Sequence, residues 1–561
     1  MTTPRTYLRP VTLLGLILSI TTIACKAFFP ETVPVQVLET SPPLVSASQT
    51  APPAMSPTAP TPTQRAEPPQ AIRTPLSTPT AHPTAVEPED PNPSVIANQE
   101  TALLPAARAD LLALNHLTHY QIQVALNLVD LILEGQSRVD YTNTEDVALD
   151  RLNFRLFPNG GSSYGNGSLT VSQVVVDGQP VETQLTVDDS VVEVQLPQEL
   201  SPGEQAQLEF VFSGVIPRNF GGSETPEGYG IYNFTNDVLA LGGWYPILAV
   251  YDEDGWNLDP VSSIGDSVYA DMAFYTVEVT APDELVLATT GVEIGRQDED
   301  GFARYQFVTG PVREFFISAS PAFKIESQAV AGTTVNSYFA PGHQTGGRKA
   351  LQVAAEALQI FNAMFGPYPY SELDVVASPM RYAAGVEFPG IILVAENMYN
   401  HPTSSFFIET IAHEVAHQWW YNVVGNDVFD DPWLDEALTT YSAALYFQDS
   451  GAAFLYRETL EIYQSEFEQA VQRGLDEPVA RELAYFEQLG NPGVYGAIVY
   501  AKGALFFRHV REAIGDEAFF QALQTYYAAY KYEIARPENL LDAFETAYGK
   551  ELDELYQEWL Y

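Results

Sequence analysis

Residues 411–420, Ile-Ala-His-Glu-Val-Ala-His-Gln-Trp-Trp, decide how the rest of the chain is interpreted. They contain two histidines four residues apart, His413 and His417, with Glu414 directly after the first. Residues four apart lie on one face of a helix, so both imidazoles can reach the same metal ion. Glu414 is then close enough to hold and deprotonate a water molecule at that ion. The spacing therefore predicts a helix that carries a catalytic zinc site.

A third ligand is expected, because catalytic zinc usually takes three protein ligands and leaves one position open for water. Glu436 is the candidate, separated from His417 by eighteen residues. Asp-Asp-Pro at 430–432 breaks the chain, and 434–447 is typical of a second helix. Glu436 would therefore approach the metal from a neighbouring helix. The alternative is that both histidines are ordinary core or solvent-facing residues, which makes every other feature of the site a coincidence.

The composition limits the partners of the protein. The chain of 561 residues has 26 Lys and Arg against 72 Asp and Glu, a formal net charge of −46. Nucleic acids and anionic membrane surfaces both bind positively charged protein surfaces, so neither is an expected partner. The length suggests two to four domains. Cys25 is the only cysteine, which excludes a disulfide within the chain and argues against a thiolate zinc site.

The N-terminus predicts export. Residues 1–24 combine two arginines with an apolar run at 11–23, which is shorter than the about 20 residues that span a bilayer. The run ends in Thr-Ile-Ala-Cys, which resembles the lipobox of bacterial lipoproteins. Cleavage before Cys25 and lipidation of its thiol would tether the protein outside the cytoplasmic membrane; plain secretion is the alternative. Residues 25–95 are rich in Pro, Thr and Ser and predict a disordered spacer.

Two further regions follow, and together they predict a multidomain α+β protein. Residues 96–328 should form a large antiparallel β domain after a short helix at 103–114, because the pattern alternates and turns punctuate it. Two aromatic, Gly-rich runs, 228–232 and 241–247, either reach the active cleft or form a sandwich edge. Residues 329–561 change to helical periodicity near Ala350 and predict an α/β unit followed mainly by helices.

The zinc-site residues and three further segments resemble the aminopeptidase N family of gluzincin metallopeptidases. The segments are Phe-Gly-Pro-Tyr-Pro-Tyr at 365–370, Ala-Gly-Val-Glu-Phe at 384–388 and Tyr-Ala-Lys-Gly at 500–503. The second resembles that family's Gly-Ala-Met-Glu-Asn exopeptidase motif and the third its Tyr-Glu-Lys-Gly motif. The resemblance covers about residues 115–560. It implies an N-terminal β domain followed by a thermolysin-like zinc peptidase domain.

The resemblance also implies roles for the metal-site residues. His413, His417 and Glu436 would bind one Zn²⁺ ion. Glu414 would be the general base toward water and then carry the proton to the leaving amine. The implied reaction is zinc-dependent hydrolysis of the N-terminal peptide bond.

Substrate recognition is implied by the two flanking motifs. Glu387 corresponds to the glutamate that binds the free α-ammonium of a peptide, with Ala384 and Gly385 beside it in the same motif. Tyr500 corresponds to the tyrosine that donates a hydrogen bond to the oxyanion. Tyr495 is a weaker candidate for that role. Peptides with a free N-terminus are the implied substrates.

The chain also departs from the family. Positions 384–388 differ from the usual motif everywhere except Glu387, which predicts a reshaped pocket for the first side chain. The chain ends at Tyr561, so the large C-terminal helical domain of many relatives is expected to be missing and the cleft to be more open. An oligomer or a partner could then close it. A zinc endopeptidase on the same fold remains an alternative, as does, less readily, an inactive binding lipoprotein.

Overall fold

The computed structural model describes residues 98–220, 228–265 and 268–561. The predicted signal segment at 1–24, Cys25 and the whole of the spacer at 25–95 lie outside the described residues. Within the described ranges, no helix is long and apolar enough to cross a membrane.

Within the described residues, the N-terminal half has eighteen strands in four sheets. In chain order they are β1 Thr118–Asn127, β2 Ile132–Thr142, β3 Leu149–Arg155, β4 Ser168–Val176, β5 Gln179–Pro180, β6 Thr183–Thr186, β7 Val191–Leu200, β8 Gln205–Val215, β9 Tyr232–Thr235, β10 Val238–Leu241, β11 Ile247–Leu248, β12 Tyr251–Asp252, β13 Gly255–Trp256, β14 Ala273–Pro282, β15 Val286–Thr289, β16 Val292–Glu299, β17 Phe302–Val308 and β18 Ile317–Ser320.

The largest of these sheets has the spatial order β16-β17-β14-β1-β2-β8-β4-β5. Its burial alternates as the sequence predicts: in β8, Leu208, Phe210 and Phe212 face the core while the residues between them are partly or fully exposed. The two four-stranded sheets have the orders β15-β18-β10-β9 and β11-β3-β7-β6, and β12 pairs with β13.

One pairing departs from the predicted antiparallel domain. Strands β1 and β14 run parallel, with Thr118 opposite Ala273 and Ala125 opposite Thr280. The chain between them builds most of the other strands before it returns in the same direction. A parallel neighbour needs such a long connection, and local alternation does not reveal it.

The prediction of a helix at 103–114 is wrong. The segment contains the 3₁₀ turn Arg108–Leu112, preceded by another at Glu100–Ala102. Pro105 disfavours helical geometry in the residue before it. Leu103 forms a bridge with Tyr370 instead, and the amide of Leu104 donates to the carbonyl of Pro369 at 2.8 Å. Pairing with a distant segment therefore replaces the local helix.

The C-terminal half begins with a five-stranded sheet and continues as helices. The strands are β19 Lys324–Val330, β20 Thr333–Phe339, β21 Glu372–Ser378, β22 Gly385–Phe388 and β23 Ile391–Ala395. The helices are α1 Gln344–Met364, α2 Ser405–Ala416, α3 Trp433–Asp449, α4 Ala453–Gln472, α5 Leu483–Gln488, α6 Pro492–Tyr495, α7 Gly503–Ile514, α8 Asp516–Tyr530, α9 Pro537–Tyr548 and α10 Asp553–Trp559. A π-helix, Gly496–Lys502, connects α6 to α7, and Glu396–Asn400 is a 3₁₀ turn.

The sheet order β19-β20-β21-β23-β22 places β22 at an edge. Strands β20, β21 and β23 are parallel, and β22 is antiparallel to β23. The sheet begins at Lys324, five residues before the predicted start of the second domain, and that boundary stays a prediction. The described residues on either side of it belong to one compact unit.

Helix α1 supports the helix that carries the two histidines. It ends at Met364 because Gly366 and Pro367 follow, as the sequence predicts. Near this end the ring of Phe361 lies 5.8 Å from that of Trp419, and the Trp419 indole donates to the Gly366 carbonyl at 2.9 Å. The residues just after His417 are thereby anchored to the end of α1.

The start of α1 packs closely on the sheet and gives a stability prediction. A Cβ at Gly347 would lie 2.1 Å from Cδ1 of Phe339 in β20. In an exposed helix, Gly→Ala gains roughly 1 kcal/mol, but overpacking a core costs about 1–3 kcal/mol. We expect Gly347→Ala to lower the free energy of unfolding in urea, and Gln352→Ala, exposed on the same helix, to leave it nearly unchanged. Equal stability of both variants would show that the Phe339 ring turns aside at little cost.

Candidate active site

Helix α2 brings His413 and His417 together in the core. Their side chains are fully buried, and their Nε2 atoms lie 3.1 Å apart. His413 is one turn before the end of α2, and His417 is the residue that caps it. The i and i+4 spacing therefore places both imidazoles on one face, as the sequence predicts.

Helix α3 supplies Glu436 from the side. Oε2 of Glu436 lies 3.3 Å from Nε2 of His413 and 3.4 Å from Nε2 of His417. Among the described residues it has no aligned hydrogen-bond donor. A tetrahedral zinc site with bonds of about 2.0–2.1 Å has ligand–ligand edges of about 3.3 Å. The three atoms therefore have the spacing of one face of a zinc tetrahedron, and the residues fit that ion.

The electrostatics of this set favour a positive ion. Burial lowers the pKa of His413 to about 4, so this imidazole is neutral and has a lone pair for a metal. Burial also acts to lower the pKa of His417, but the carboxylates of Glu387 and Glu436 outweigh it and raise that pKa to about 10. Burial opposes the charge of Glu436, yet contacts with both histidines hold its pKa well below the usual range. The buried carboxylates beside the two histidines therefore favour a positive charge between the ligand atoms.

The edge strand β22 runs beside α2 and brings the exopeptidase-like motif to the candidate metal ligands. A Cβ at Gly385 would lie 2.3 Å from Oε1 of Glu414, so this backbone passes directly against the proposed base. Two residues further on, Oε1 of Glu387 lies 3.2 Å from Nδ1 of His417. Glu387, Glu414 and His417 present ligand atoms within 4.8 Å of one another, all buried.

Ala384 and Phe388, two other residues of the motif, make structural contacts. The carbonyl of Ala384 accepts a hydrogen bond from the amide of Ala395 at 2.9 Å. Phe388 stacks on Phe316 of the segment before β18, with ring centroids 4.0 Å apart. Side chains alternate along a strand, so Phe388 and Glu387 point to opposite faces of β22. Phe388 therefore fills the core behind the strand and does not face the metal ligands.

Gln418 is a supporting residue that sequence reasoning missed. Its Nε2 donates to the carbonyl of Phe388 at 3.0 Å, and its Oε1 accepts from the amide of Gly390 at 2.9 Å. The side chain is fully buried. It therefore ties the β22–β23 turn to the residue next to His417. Its position beside the second histidine was visible in the sequence, but its partners were not.

Of the two candidate tyrosines, the structure brings Tyr500 to the ligand set. Its hydroxyl donates to Oε1 of Glu436, and its ring lies 6.0 Å from that of His413, nearly parallel to it. Tyr495 packs edge-on against Tyr500, and its hydroxyl lies 3.0 Å from where a Cβ on Gly265 would be. Tyr495 is thus directed toward a loop of the N-terminal half.

Both aromatic, Gly-rich runs support the segment that leads to Glu387. The carbonyl of Tyr229 accepts from the amide of Arg381 at 2.9 Å, and a Cβ at Gly230 would lie 2.5 Å from the carbonyl oxygen of Pro379. A Cβ at Gly242 would lie 3.2 Å from the Phe388 ring. The N-terminal sheets therefore form part of the wall behind β22.

Two histidines on one helix, a glutamate from the next and a carboxylate beside the first histidine define a zinc metallopeptidase site. Residues 349–559 match the family model described as "Peptidase family M1 domain". This match confirms the predicted resemblance for the C-terminal part of the chain.

Relatives and solved structures agree with this assignment. The chain is 22% identical over 499 residues to Aminopeptidase 2 of Candida albicans, covering 83% of this chain and 48% of that protein. It is 24% identical over 418 residues to Aminopeptidase M1-B of Oryza sativa subsp. japonica, covering 70% and 45%. The chain therefore spans about half the length of these relatives. A crystal structure of a mutant M1 zinc metallopeptidase from Deinococcus radiodurans has the same fold, with a TM-score of 0.59, 20% identity and coverage of 79% and 94%.

The ligand geometry predicts the zinc content of variants. We expect about one zinc ion per chain in the wild-type protein after dialysis, measured by atomic emission. Removal of one ligand in His413→Ala or Glu436→Gln should abolish tight binding. His401→Ala, which changes an exposed histidine, is the control and should keep the metal. Full zinc content in Glu436→Gln would remove Glu436 from the ligand set.

Proposed function

We propose that this protein is a zinc-dependent aminopeptidase that hydrolyses the N-terminal peptide bond of peptides. The observation that carries the proposal is the position of Glu387, whose carboxylate lies 3.2 Å from the ring of His417. A fixed carboxylate at this distance from the metal ligands can bind the N-terminal ammonium of a peptide. The first peptide bond then lies at the metal site. A substrate without an N-terminal charge gains no ion pair there.

The proposed mechanism assigns one task to each side chain around the metal. His413, His417 and Glu436 would hold the zinc ion, which when bound polarises the scissile carbonyl and makes water more acidic. Glu414 takes the proton of the attacking water and passes it to the leaving amine. The hydroxyl of Tyr500, which lies at the ligand set, donates a hydrogen bond to the oxyanion of the tetrahedral intermediate.

Substrate orientation follows from the shape of the strand beside the site. Glu387 pairs with the α-ammonium and fixes the first residue of the peptide. Gly385 lies in the same strand and Ala384 directly before it, so the backbone of these two residues would lie beside the first residue of the substrate. Because Gly385 has no side chain, that backbone and Glu414 approach closely, and the first peptide bond lies beside the base.

The comparisons support this assignment. Both curated relatives described above carry the name aminopeptidase. A crystal structure of a mutant Deinococcus radiodurans M1 zinc metallopeptidase is described as bound to a Tyr-Ser-Ala substrate, with a TM-score of 0.58 and 21% identity. Another M1 zinc metallopeptidase mutant, described as two-domain, is bound to L-arginine. The two crystal structures therefore hold a short peptide and an amino acid, which are the classes of ligand that the proposed activity requires.

A matched peptide panel tests the proposal. We expect the wild-type protein to cleave fluorogenic peptides with a free N-terminus and not their N-acetylated counterparts. Truncating one partner of a buried charge pair costs about 2–5 kcal/mol, so Glu387→Gln should lower kcat/KM on free peptides by about 30-fold or more. The reason is loss of the ion pair with the α-ammonium.

Tyr500→Phe is the comparison variant in this panel. It should lower kcat while it keeps the preference for free peptides, because it removes an oxyanion donor and leaves Glu387 in place. Equal cleavage of blocked and free peptides by the wild-type protein would make it a zinc endopeptidase. A wild-type protein that holds zinc and cleaves neither peptide would favour the binding-lipoprotein alternative. Closure of the cleft by an oligomer or a partner stays a prediction of the sequence.

We also propose that the protein is a lipoprotein on the extracytoplasmic face of a bacterial-type membrane. The support is the sequence alone: a short apolar run, the Thr-Ile-Ala-Cys segment that ends at Cys25, and the Pro-rich spacer after it. Secretion without a lipid is the alternative.

This localisation predicts a cysteine-dependent anchor. In a bacterial host fed a labelled fatty acid, the wild-type chain should carry the label and sediment with membranes. Cys25→Ala should lose both properties, since no other cysteine can accept the lipid. A labelled Cys25→Ala chain would refute lipidation at this residue. Wild-type protein found unlabelled in the medium would support secretion.

A further inference from the structure

Arg313 is a buried cation that joins three distant segments. Its side chain is 1% exposed and lies in the segment before β18. Nε donates to the carbonyl of Tyr421 at 2.7 Å, one terminal nitrogen to Ala270 at 2.9 Å, and the other to Glu533 at 2.8 Å. All three acceptors are backbone carbonyls. Arg313 therefore holds together the N-terminal half, the turn after α2 and the loop after α8.

The turn that Arg313 holds has a strained conformation. Tyr421 has a φ of 87°, in the left-handed region that bulky residues rarely adopt. Such a conformation costs about 1–3 kcal/mol and persists only where the surroundings impose it. The guanidinium fixes the Tyr421 carbonyl, the Tyr421 amide donates to the Val424 carbonyl at 2.7 Å, and the phenol donates to the carbonyl of Val268. Arg313 is therefore one of the contacts that maintain this turn.

The same turn orients a metal ligand. The carbonyl of Trp420, directly before Tyr421, lies 3.2 Å from Nδ1 of His417. Nε2 of His417 faces His413 and Glu436, so Nδ1 is the nitrogen left to carry the proton. A partner for this second ring nitrogen fixes the tautomer and the ring orientation of a metal-binding histidine. Rotation at Tyr421 would carry the Trp420 carbonyl away from that proton.

We propose that Arg313 is a positioning residue for the zinc ligand His417, acting through the strained turn at Trp420 and Tyr421. The inference rests on the zinc-binding role of His417 in the proposed function. It makes the N-terminal half a part of the metal site, although His413, His417 and Glu436 all lie in the C-terminal half.

Gly425 gives an independent way to disturb the same contact. A Cβ at this position would lie 2.2 Å from one terminal nitrogen of Arg313 and 2.3 Å from its central guanidinium carbon. The amide and carbonyl of Gly425 are also paired with Glu533 and Ala535. A side chain at Gly425 would thus push the guanidinium away from its acceptors while leaving the charge in the chain.

The expected effect is a weaker zinc site that still binds. Oε1 of Glu387 at 3.2 Å and Oγ1 of Thr439 at 3.4 Å also lie near Nδ1 of His417, so its ring is not left without polar neighbours. Loss of an outer contact to a metal-ligating histidine lowers metal affinity about 10–100-fold. We expect an effect in this range for Arg313→Lys, which keeps the charge but cannot reach three carbonyls with one ammonium group.

The test measures the zinc dissociation constant of the full-length protein by competition with a chromophoric chelator, without substrate. Arg155→Lys is the matched control, because Arg155 is also a buried arginine, 2% exposed, and donates to the carbonyls of Asn257 and Asp259 away from the turn. Both lysine variants should lose stability. Only Arg313→Lys should lose zinc affinity.

Gly425→Ala should weaken zinc binding to a similar extent, and the double variant should be little worse than either single one because both disrupt the same contact. Wild-type affinity in Arg313→Lys would overturn the inference, as would equal losses in Arg313→Lys and Arg155→Lys. If Arg313→Lys does not fold, Gly425→Ala decides alone. A wild-type protein without affinity for zinc would instead overturn the proposed function.

Discussion

The structure depends on one electrostatic constraint: three electron-rich ligand atoms converge, and the side chains that carry them are buried in the protein. Two imidazole nitrogens and a carboxylate oxygen lie 3.1–3.4 Å apart, and their side chains are almost completely buried. Lone pairs at this distance repel one another, and a carboxylate loses its hydration on burial. A divalent cation at their centre compensates for both costs. The surrounding fold must hold the ligands in place whether or not that cation is bound.

The protein supports this centre from several directions, and each support is also buried. Helix α1 holds Trp419, Gln418 ties α2 to the β22–β23 turn, and Arg313 holds the turn at Tyr421. Each contact acts within four residues of His417, so the three together constrain the segment after the second histidine. The supports come from both halves of the chain. The β-rich half is therefore part of the environment of the metal and not only a separate module attached to it.

The sequence could predict which side chains lie together at the centre, because their geometry is local or belongs to a family motif. The i and i+4 histidines follow from helical periodicity, and Glu436, Glu387 and Tyr500 follow from motif order. The supports could not be predicted in the same way. Arg313 meets Tyr421 across 108 residues, and nothing near either residue identifies the partner. The parallel pairing of β1 with β14 and the loss of a helix at 103–114 have the same cause: long-range pairing overrides the local pattern.

The π-helix at Gly496–Lys502 has a consequence for how the protein can vary during evolution. A π-turn accommodates one more residue than an α-turn, and each residue of an α-helix turns the chain by about 100°. Deletion of a single residue between Tyr495 and Gly503 would let a continuous α-helix form. It would also rotate the Tyr500 hydroxyl away from Glu436 or displace all of α7. The length of this segment should therefore be as restricted as the identity of Tyr500, because the position of the hydroxyl depends on both.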